Sequence, residues 1–279
     1  MDSTNRARSG CEVPLGFANG STPPAVGCAC SKPGNQLLAS LSEETLSSLR
    51  PHLKPVSLPR GRVLCEFDEP LTRVYFVECG VVSLRAVFDD GTTAEMATVG
   101  REGVVGIGAL LGGEFPLGRY VAPMQGMALV VEVSRFRSAL QEIPTLRAVC
   151  EAYAQAFLRT ALQTAACNSV HLVEQRCARW LLMSHDRSDS DTIALTQEYL
   201  SEMLGVCRST VTLAASALQR AGLIHYRRGA ITVLDRAGLE GVSCECYGLI
   251  RDHHERLLPH RYERPPLHVD HSPVSRALI

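Results

Sequence analysis

No apolar run in this chain approaches the roughly 20 residues that a helix needs to span a bilayer. The opening segment, MDSTNRARSGCEVPLGFANGSTPPAVG, has no compact hydrophobic stretch behind its basic residues, so a signal peptide is not expected and a cytoplasmic location is. Lysine is almost missing, occurring only at Lys32 and Lys54. With a net charge of −1, any attraction to phosphate has to come from a local patch of arginine. The pattern holds no phosphate-cradling glycine motif, no oxyanion loop and no acid placed to orient a thiol pair such as Cys167 and His171. An enzyme is therefore not expected. The 11 cysteines are an odd number in a chain without an export signal, which argues against a complete disulfide framework and for reduced thiols, core fillers or sensor ligands.

What is present divides the 279 residues into segments, and 46% hydrophobic content suffices for packed cores. Residues 1–34, rich in Ser, Gly, Pro and Asn, read as a flexible arm. Asn35 to Leu49 suggests a short helix or two, burying Leu37, Leu38, Leu41, Leu46 and Leu49. From Val56 to Val133 short β-type runs alternate with glycines. The clearest are Val63–Cys65, Val74–Val77, Val81–Val87, Ala94–Val99 and Met127–Val133, with Asp89-Asp90-Gly91 as a turn. Ten glycines between Gly61 and Gly118 fit a tightly turning antiparallel roll or jelly roll, so 35–143 reads as one β-domain.

Helical periodicity returns at Arg135, and 144–170 reads as one long helix. Leu146, Val149, Tyr153, Ala156 and Thr160 follow a 3-4 spacing, while Phe157, Leu158, Ala161 and Leu162 widen the apolar surface. A helix this apolar needs cover on more than one side. The β-domain covers one, and the same helix of a second subunit is expected to cover the other. Glu174 to Ser184 forms a further helix, and 241–279 reads as a C-terminal helix with an irregular tail from about Pro259.

Residues 171–240 contain the most informative stretch, LTQEYLSEMLGVCRSTVTLAASALQRAGLIHYRRGAITV, from Leu195 to Val233. Thr196 can cap a first helix that carries Gln197 and Glu198 in its first turn and Leu200, Met203 and Leu204 on its apolar stripe. Gly205 supplies the turn. A second helix from about Arg208 to Ala221 buries Val211, Ala214, Ala215 and Leu218 and shows Arg208, Ser209, Thr212 and Ser216 on its other side. Gly222 stops it, and Ile224 to Val233 folds back around Arg228-Gly229 as a wing. Between Gly205 and Val233 stand Arg208, Arg220, Arg227 and Arg228 and no acidic residue. That is the pattern of a winged helix-turn-helix facing double-stranded DNA, with Thr196, Gln197, Arg208, Ser209, Thr210, Thr212, Ser216, Arg227 and Arg228 as contact candidates.

The order of β-roll, long helix and winged helix-turn-helix resembles the Crp/Fnr family of bacterial transcription regulators. The resemblance runs from about Asn35 to Glu240 and is carried most visibly by Val74-Tyr75-Phe76-Val77-Glu78-Cys79-Gly80-Val81-Val82-Ser83-Leu84 and by Leu195–Val233. It implies an α+β fold and a homodimer joined by paired long helices. It also implies two-fold related half-sites one helical turn apart and contact with RNA polymerase. Its phosphate cassette departs from that of the cyclic-AMP-binding members. Within Gly106–Val121, Ile107 (between Gly106 and Gly108) stands where those members carry Glu. Arg119 aligns with their Arg only across a gap, and Tyr120 follows where a small hydroxyl belongs. Ala161-Leu162 replace the Thr-Ser pair near the adenine. An effector pocket at Gly106, Ile107, Gly108, Arg119, Tyr120, Ala161 and Leu162 is accordingly expected not to take cyclic AMP. In the second helix, Arg208 matches an arginine able to contact guanine, whereas Ser209 and Leu213 replace a Glu and a second Arg, so a different half-site is expected.

The cysteines leave one alternative, a regulator responding to redox or metal chemistry. Oxygen-sensing relatives hold an iron–sulfur cluster with closely spaced N-terminal cysteines. Cys11, Cys28 and Cys30, with Cys65 or Cys79 as a fourth, match that spacing poorly. Cys244-Glu245-Cys246, near His253 and His254, lacks the paired Cys-x2–4-Cys spacing of zinc sites. Packing or thiol chemistry is expected there, and packing for Cys167 beside His171, which stand one helical turn apart. No bound metal or cofactor is expected. Cys207, beside the second helix, is the thiol whose oxidation would most directly disturb DNA binding.

Overall fold

The computed structural model describes residues 33–258. Nearly all of the expected arm, with Cys11, Cys28 and Cys30, and the tail from Pro259 onward lie outside the described residues. Among the described residues no helix is long and apolar enough to cross a membrane. The fold is α+β.

Two short helices open it, α1 (Gln36–Ala39) and α2 (Glu43–Leu49). Both start on side-chain caps: Asn35 accepts from the Leu38 amide and Ser42 from that of Thr45. Asn35 is fully buried, and its amide donates to the Val77 and Gly103 carbonyls at 2.9 and 2.8 Å, which ties α1 to the β-domain. Leu37, Leu38, Leu41, Leu46 and Leu49 are all buried.

The β-domain comprises β1 (Lys54–Leu58), β2 (Val63–Cys65), β3 (Arg73–Cys79), β4 (Val82–Val87), β5 (Thr93–Val99), β6 (Val104–Val105), β7 (Arg119–Val121) and β8 (Gly126–Glu132). They form two antiparallel four-stranded sheets, β1-β8-β3-β6 and β2-β7-β4-β5. Tyr75 lies opposite Val130 in the first sheet and Val82 opposite Val99 in the second. Phe76, Leu84, Tyr120 and Val131 fill the space inside the roll, and Phe76 meets Phe136 edge-on at 6.0 Å. Two- and three-residue strands such as β6 and β7 are too short to leave a periodic signal. The β8 run ends at Glu132, because Val133 already opens the next helix.

That helix, α3 (Val133–Glu142), leads through Ile143 into α4 (Pro144–Val170), a single 27-residue helix whose first position is the proline that cannot continue a preceding one. Leu146, Cys150, Tyr153, Ala156, Phe157 and Thr160 bury one side of α4 against the roll and its neighbours. Leu158 and Leu162 stay 60% exposed on the other. A second core lies beyond the α4 terminus. It unites α5 (Val173–Asp186), β9 (Thr192–Ala194), α6 (Gln197–Leu204), α7 (Arg208–Arg220), β10 (Ile224–Arg227), β11 (Ala230–Val233) and α8 (Arg236–Val242) around Trp180, Leu181, Leu200, Val211 and Ile231. The wing is a three-stranded sheet, β10-β11-β9, one strand more than the hairpin expected from sequence. Finally α9 (Cys246–Leu257) runs back along α4, with Thr160 meeting His254 at 2.9 Å and Gln163 meeting Cys246 at 3.1 Å.

Candidate nucleic-acid interface

The reader is assembled by local signals. The Thr196 hydroxyl accepts from the Tyr199 amide at 3.3 Å and starts α6. Gly205 ends it at φ +61°, a left-handed conformation in which a side chain would be strained. Cys207 then stands at the N-cap of α7. Val211, Ala214, Ala215 and Leu218 pack inward, while Arg208, Ser209, Thr212 and Arg220 are exposed and Thr210 and Ser216 half-buried. The wing turns at Arg228 (φ 48°) and Gly229 (φ 80°). Positive φ at both central residues is the primed turn whose twist suits a hairpin, and it leaves Arg227 and Arg228 exposed at the tip. The Leu195 amide donates to the Gly229 carbonyl at 2.7 Å and anchors that tip beside the start of α6.

These residues are not equally free. The Thr196 hydroxyl also accepts from Arg60 of the roll at 3.3 Å, and the Gln197 carbonyl oxygen accepts from Thr212 at 3.2 Å. Arg208, Arg220, Arg227 and Arg228 have no carboxylate within ion-pair distance among the described residues, and all four are exposed. At the α7 N-terminus, hydrogen bonds with the Ser209 and Thr210 hydroxyls pull the exposed Cys207 thiol down to about 7.

Behind the reader lies a contact with the roll that sequence reasoning missed. Arg85 of β4 pairs with Glu202 of α6 at 2.6 Å and lies 5.1 Å from the centre of the Tyr199 ring. Glu95 of β5 accepts from the Ser83 hydroxyl at 2.7 Å and from the Trp180 indole N–H at 3.2 Å. Burial pushes its carboxyl up to about 8. Deeper in, Arg187 after α5 pairs with Glu102 of the roll at 2.6 Å, both side chains 6% exposed. Burial alone would raise the Glu102 carboxyl, but the Arg187 guanidinium holds it below the usual range. At the edge, Arg101 meets Asp189 at 2.8 Å. Each pair that joins the roll to α5, α6 or the segment after α5 spans more than 80 residues of sequence, beyond the reach of any local pattern.

The expected effector residues sit in different environments. Gly106 is left-handed (φ 89°) and opens a short 3-10 turn over Ile107–Ala109, while Ile107 and Tyr120 are buried in the roll core. Gly108 is buried in the same turn. The Arg119 guanidinium pairs with Glu66 at 2.7 Å. Ala161 packs on the core, whereas Leu162 projects outward. Neither the cleft lined by Gln36, Glu102, Arg187, Tyr247 and His254 nor the smaller cavity beside Phe76 and Phe136 is lined by any of the seven.

The cysteines behave differently. Cys65 and Cys79 are half-buried in the roll, and burial raises both thiols. Cys167, His171, Cys244 and Cys246 converge. Two pairs that sequence spacing treats separately place their four ligand atoms within 4.8 Å of one another. The available signal was that both pairs held ligand-type residues; their union depends on α9 packing along α4.

Residues 55–142 match the cyclic nucleotide-binding domain family, and residues 175–242 match the Crp-like helix-turn-helix domain. Neither match includes α4 or α9. No curated protein matches the chain. Among solved structures it is similar to FixK2 from Bradyrhizobium japonicum, at 21% identity and a TM-score of 0.61 over 69% of this chain and 98% of that one. It is also similar to a transcriptional regulator of the CRP family from Thermus thermophilus, at 20% identity and a TM-score of 0.57 over 67% and 96%. The c-di-GMP-responsive global regulator CLP of Xanthomonas campestris has 17% identity and a TM-score of 0.57 over 69% and 99%. These likenesses concern the fold.

Proposed function

This chain belongs to the Crp/Fnr family of transcription regulators, its cyclic nucleotide-binding fold preceding a Crp-like helix-turn-helix, and from that premise we propose that it is a homodimer that reads a two-fold related DNA site and does not respond to cyclic AMP. The observation that carries this reading is the outward face of α7 with the wing. It offers four arginines without carboxylate partners, two hydroxyls and no acid on one exposed surface. Arg208 stands in the first turn of α7, positioned to reach a guanine edge, and Arg220, Arg227 and Arg228 flank it for phosphates. Leu213, 68% exposed where an apolar side chain gains nothing from water, suits a thymine methyl. The half-site accordingly mixes one guanine contact with apolar readout.

Dimerisation is supported by α4. Its exposed or half-exposed Glu151, Gln155, Leu158, Leu162, Ala165 and Ser169 recur at 4-3 spacing, the seam of a paired helix, with two leucines at its centre. Two readers joined this way meet successive major grooves about 34–36 Å apart. Against cyclic AMP stand the apolar, buried Ile107 and the Glu66 partner that occupies Arg119. The roll–reader contact through Arg85, Glu95 and Arg187 is the surface through which a signal in the roll would bias the readers. RNA polymerase is the further partner of such a regulator.

The test is selection of a site from random duplexes by the full-length protein, followed by anisotropy titration of wild type and Arg208→Ala. The variant is expected to lose about 1–3 kcal/mol of binding free energy to the selected site, with the loss concentrated at one base position. Equal affinity and equal preference would refute the assignment of α7 as reader.

A further inference from the structure

We propose that Cys167, His171, Cys244 and Cys246 form a Cys3His site for a tetrahedral, thiolate-seeking divalent cation of the zinc class, set at the hinge between the long helix and the reader. The distances are those of a coordination shell. The Cys167 and Cys244 Sγ atoms lie 3.5 Å apart, and Cys246 Sγ lies 3.6 Å from His171 Nδ1. A tetrahedron with Zn–S of about 2.3 Å and Zn–N of about 2.0–2.1 Å has S···S edges of roughly 3.8 Å and S···N edges of roughly 3.6 Å. The longest separation in the set, within 4.8 Å, is the one that small side-chain rotations, chiefly of the half-buried His171, would have to close.

Three further features separate this cluster from ordinary buried thiols. First, the cysteines are 0–2% exposed and pack with one another, in a small group separate from both larger cores. Second, the surrounding groups orient the ligands. Glu245 lies 3.2 Å from His171 Nε2, the side on which a proton would leave the Nδ1 lone pair facing the thiols, as in the carboxylate–histidine arrangement common around zinc. Gln163 donates to Cys246 Sγ at 3.1 Å. Third, the charge is complementary. Arg176 and Arg179 of α5 are buried and interact electrostatically with Cys167, and neither has a carboxylate within ion-pair distance among the described residues. A dication with three thiolates carries one net negative charge, which would face two buried guanidiniums.

Four protein ligands and no open position make a structural centre rather than a catalytic one. Its location gives it a regulatory consequence. Cys167 lies in the last turn of α4, His171 caps that helix, and Val173 begins α5; Cys244 lies between α8 and α9, and Cys246 opens α9. One ion would thus clamp the end of the long helix, the hinge and the reader's C-terminal extension together. All four residues lie outside both matched domains, so the site is a property of this chain and does not depend on the DNA reading.

The experiment is metal analysis of full-length protein purified anaerobically, followed by exchange with cobalt(II). Close to one zinc per chain is expected. Cobalt should give thiolate charge-transfer absorption in the near ultraviolet and the intense visible bands of a tetrahedral centre, a readout needing no variant. Cys167→Ser and Cys246→Ser should lower metal content at least tenfold, while a Cys11→Ser, Cys28→Ser, Cys30→Ser triple variant should retain it. The proposal is overturned if wild type takes up neither ion, if the ion follows the arm cysteines, or if Cys167 and Cys244 are isolated as a disulfide that excludes metal under anaerobic conditions.

Discussion

Replacing Glu95 by Gln should flatten the alkaline side of the stability profile. The carboxylate oxygens of Glu95 face inward between β4 and α5, one taken by Ser83 and the other by Trp180. Arg85 and Arg179 are the nearest cations, and burial still dominates, raising the carboxyl from 4.5 to about 8. Between those values the folded chain holds a proton that the unfolded chain has released. Stability is therefore greatest toward the acidic end of that window and falls as pH rises, with the loss complete above about 8. At about 1.4 kcal/mol per unit, the contribution lost between pH 6 and 9 is roughly 3 kcal/mol. Gln cannot ionise. It keeps an acceptor for the indole and offers an amide to the Ser83 hydroxyl, so the contact survives. Urea titrations followed through Trp180, the only tryptophan of the chain and itself part of the contact, would report the difference directly. Subtracting the Glu95→Gln profile from the wild-type profile removes all other titrating groups. Parallel profiles from pH 6 to 9 would refute the reasoning and mean that the carboxylate is already ionised and compensated.

Arg187→Met leaves Glu102 buried without its cation and should cost about 3–5 kcal/mol in urea denaturation, while the Glu102→Gln, Arg187→Met double variant should recover much of it. Leu158→Glu with Leu162→Glu places acids at the centre of the exposed α4 seam; sedimentation equilibrium should show a monomer whose circular dichroism is unchanged. A dimer of wild-type affinity would remove α4 as the pairing helix.

The reader was legible because its determinants are local. Thr196 caps within three residues, Gly205 supplies a left-handed turn that other residues resist, Val211 to Leu218 repeats at helical spacing, and Arg228-Gly229 fits a primed hairpin turn. The long helix was legible for the same reason, from Pro144 at its start and its unbroken 3-4 pattern. Of the two- and three-residue strands only β2 (Val63–Cys65) was read from sequence; β6, β7 and β9 form where a neighbouring strand supplies hydrogen bonds.

Sequence alone thus determined the order of the modules, the buried faces of the N-terminal helices, the long helix and the two reader helices, and the acid-free stretch of the reader. Each follows from residues within about a dozen positions of one another. Tertiary structure alone decided which distant charges meet and what the cysteines can do. Arg85 finds Glu202, Arg187 finds Glu102, and Ile107 and Arg119 are absorbed by the roll. Cys167 and Cys244, 77 residues apart, come together only because α9 lies along α4. Spacing describes what a segment can present on one face. Coordination and ion pairing depend on angstrom-scale approach between faces, which packing sets.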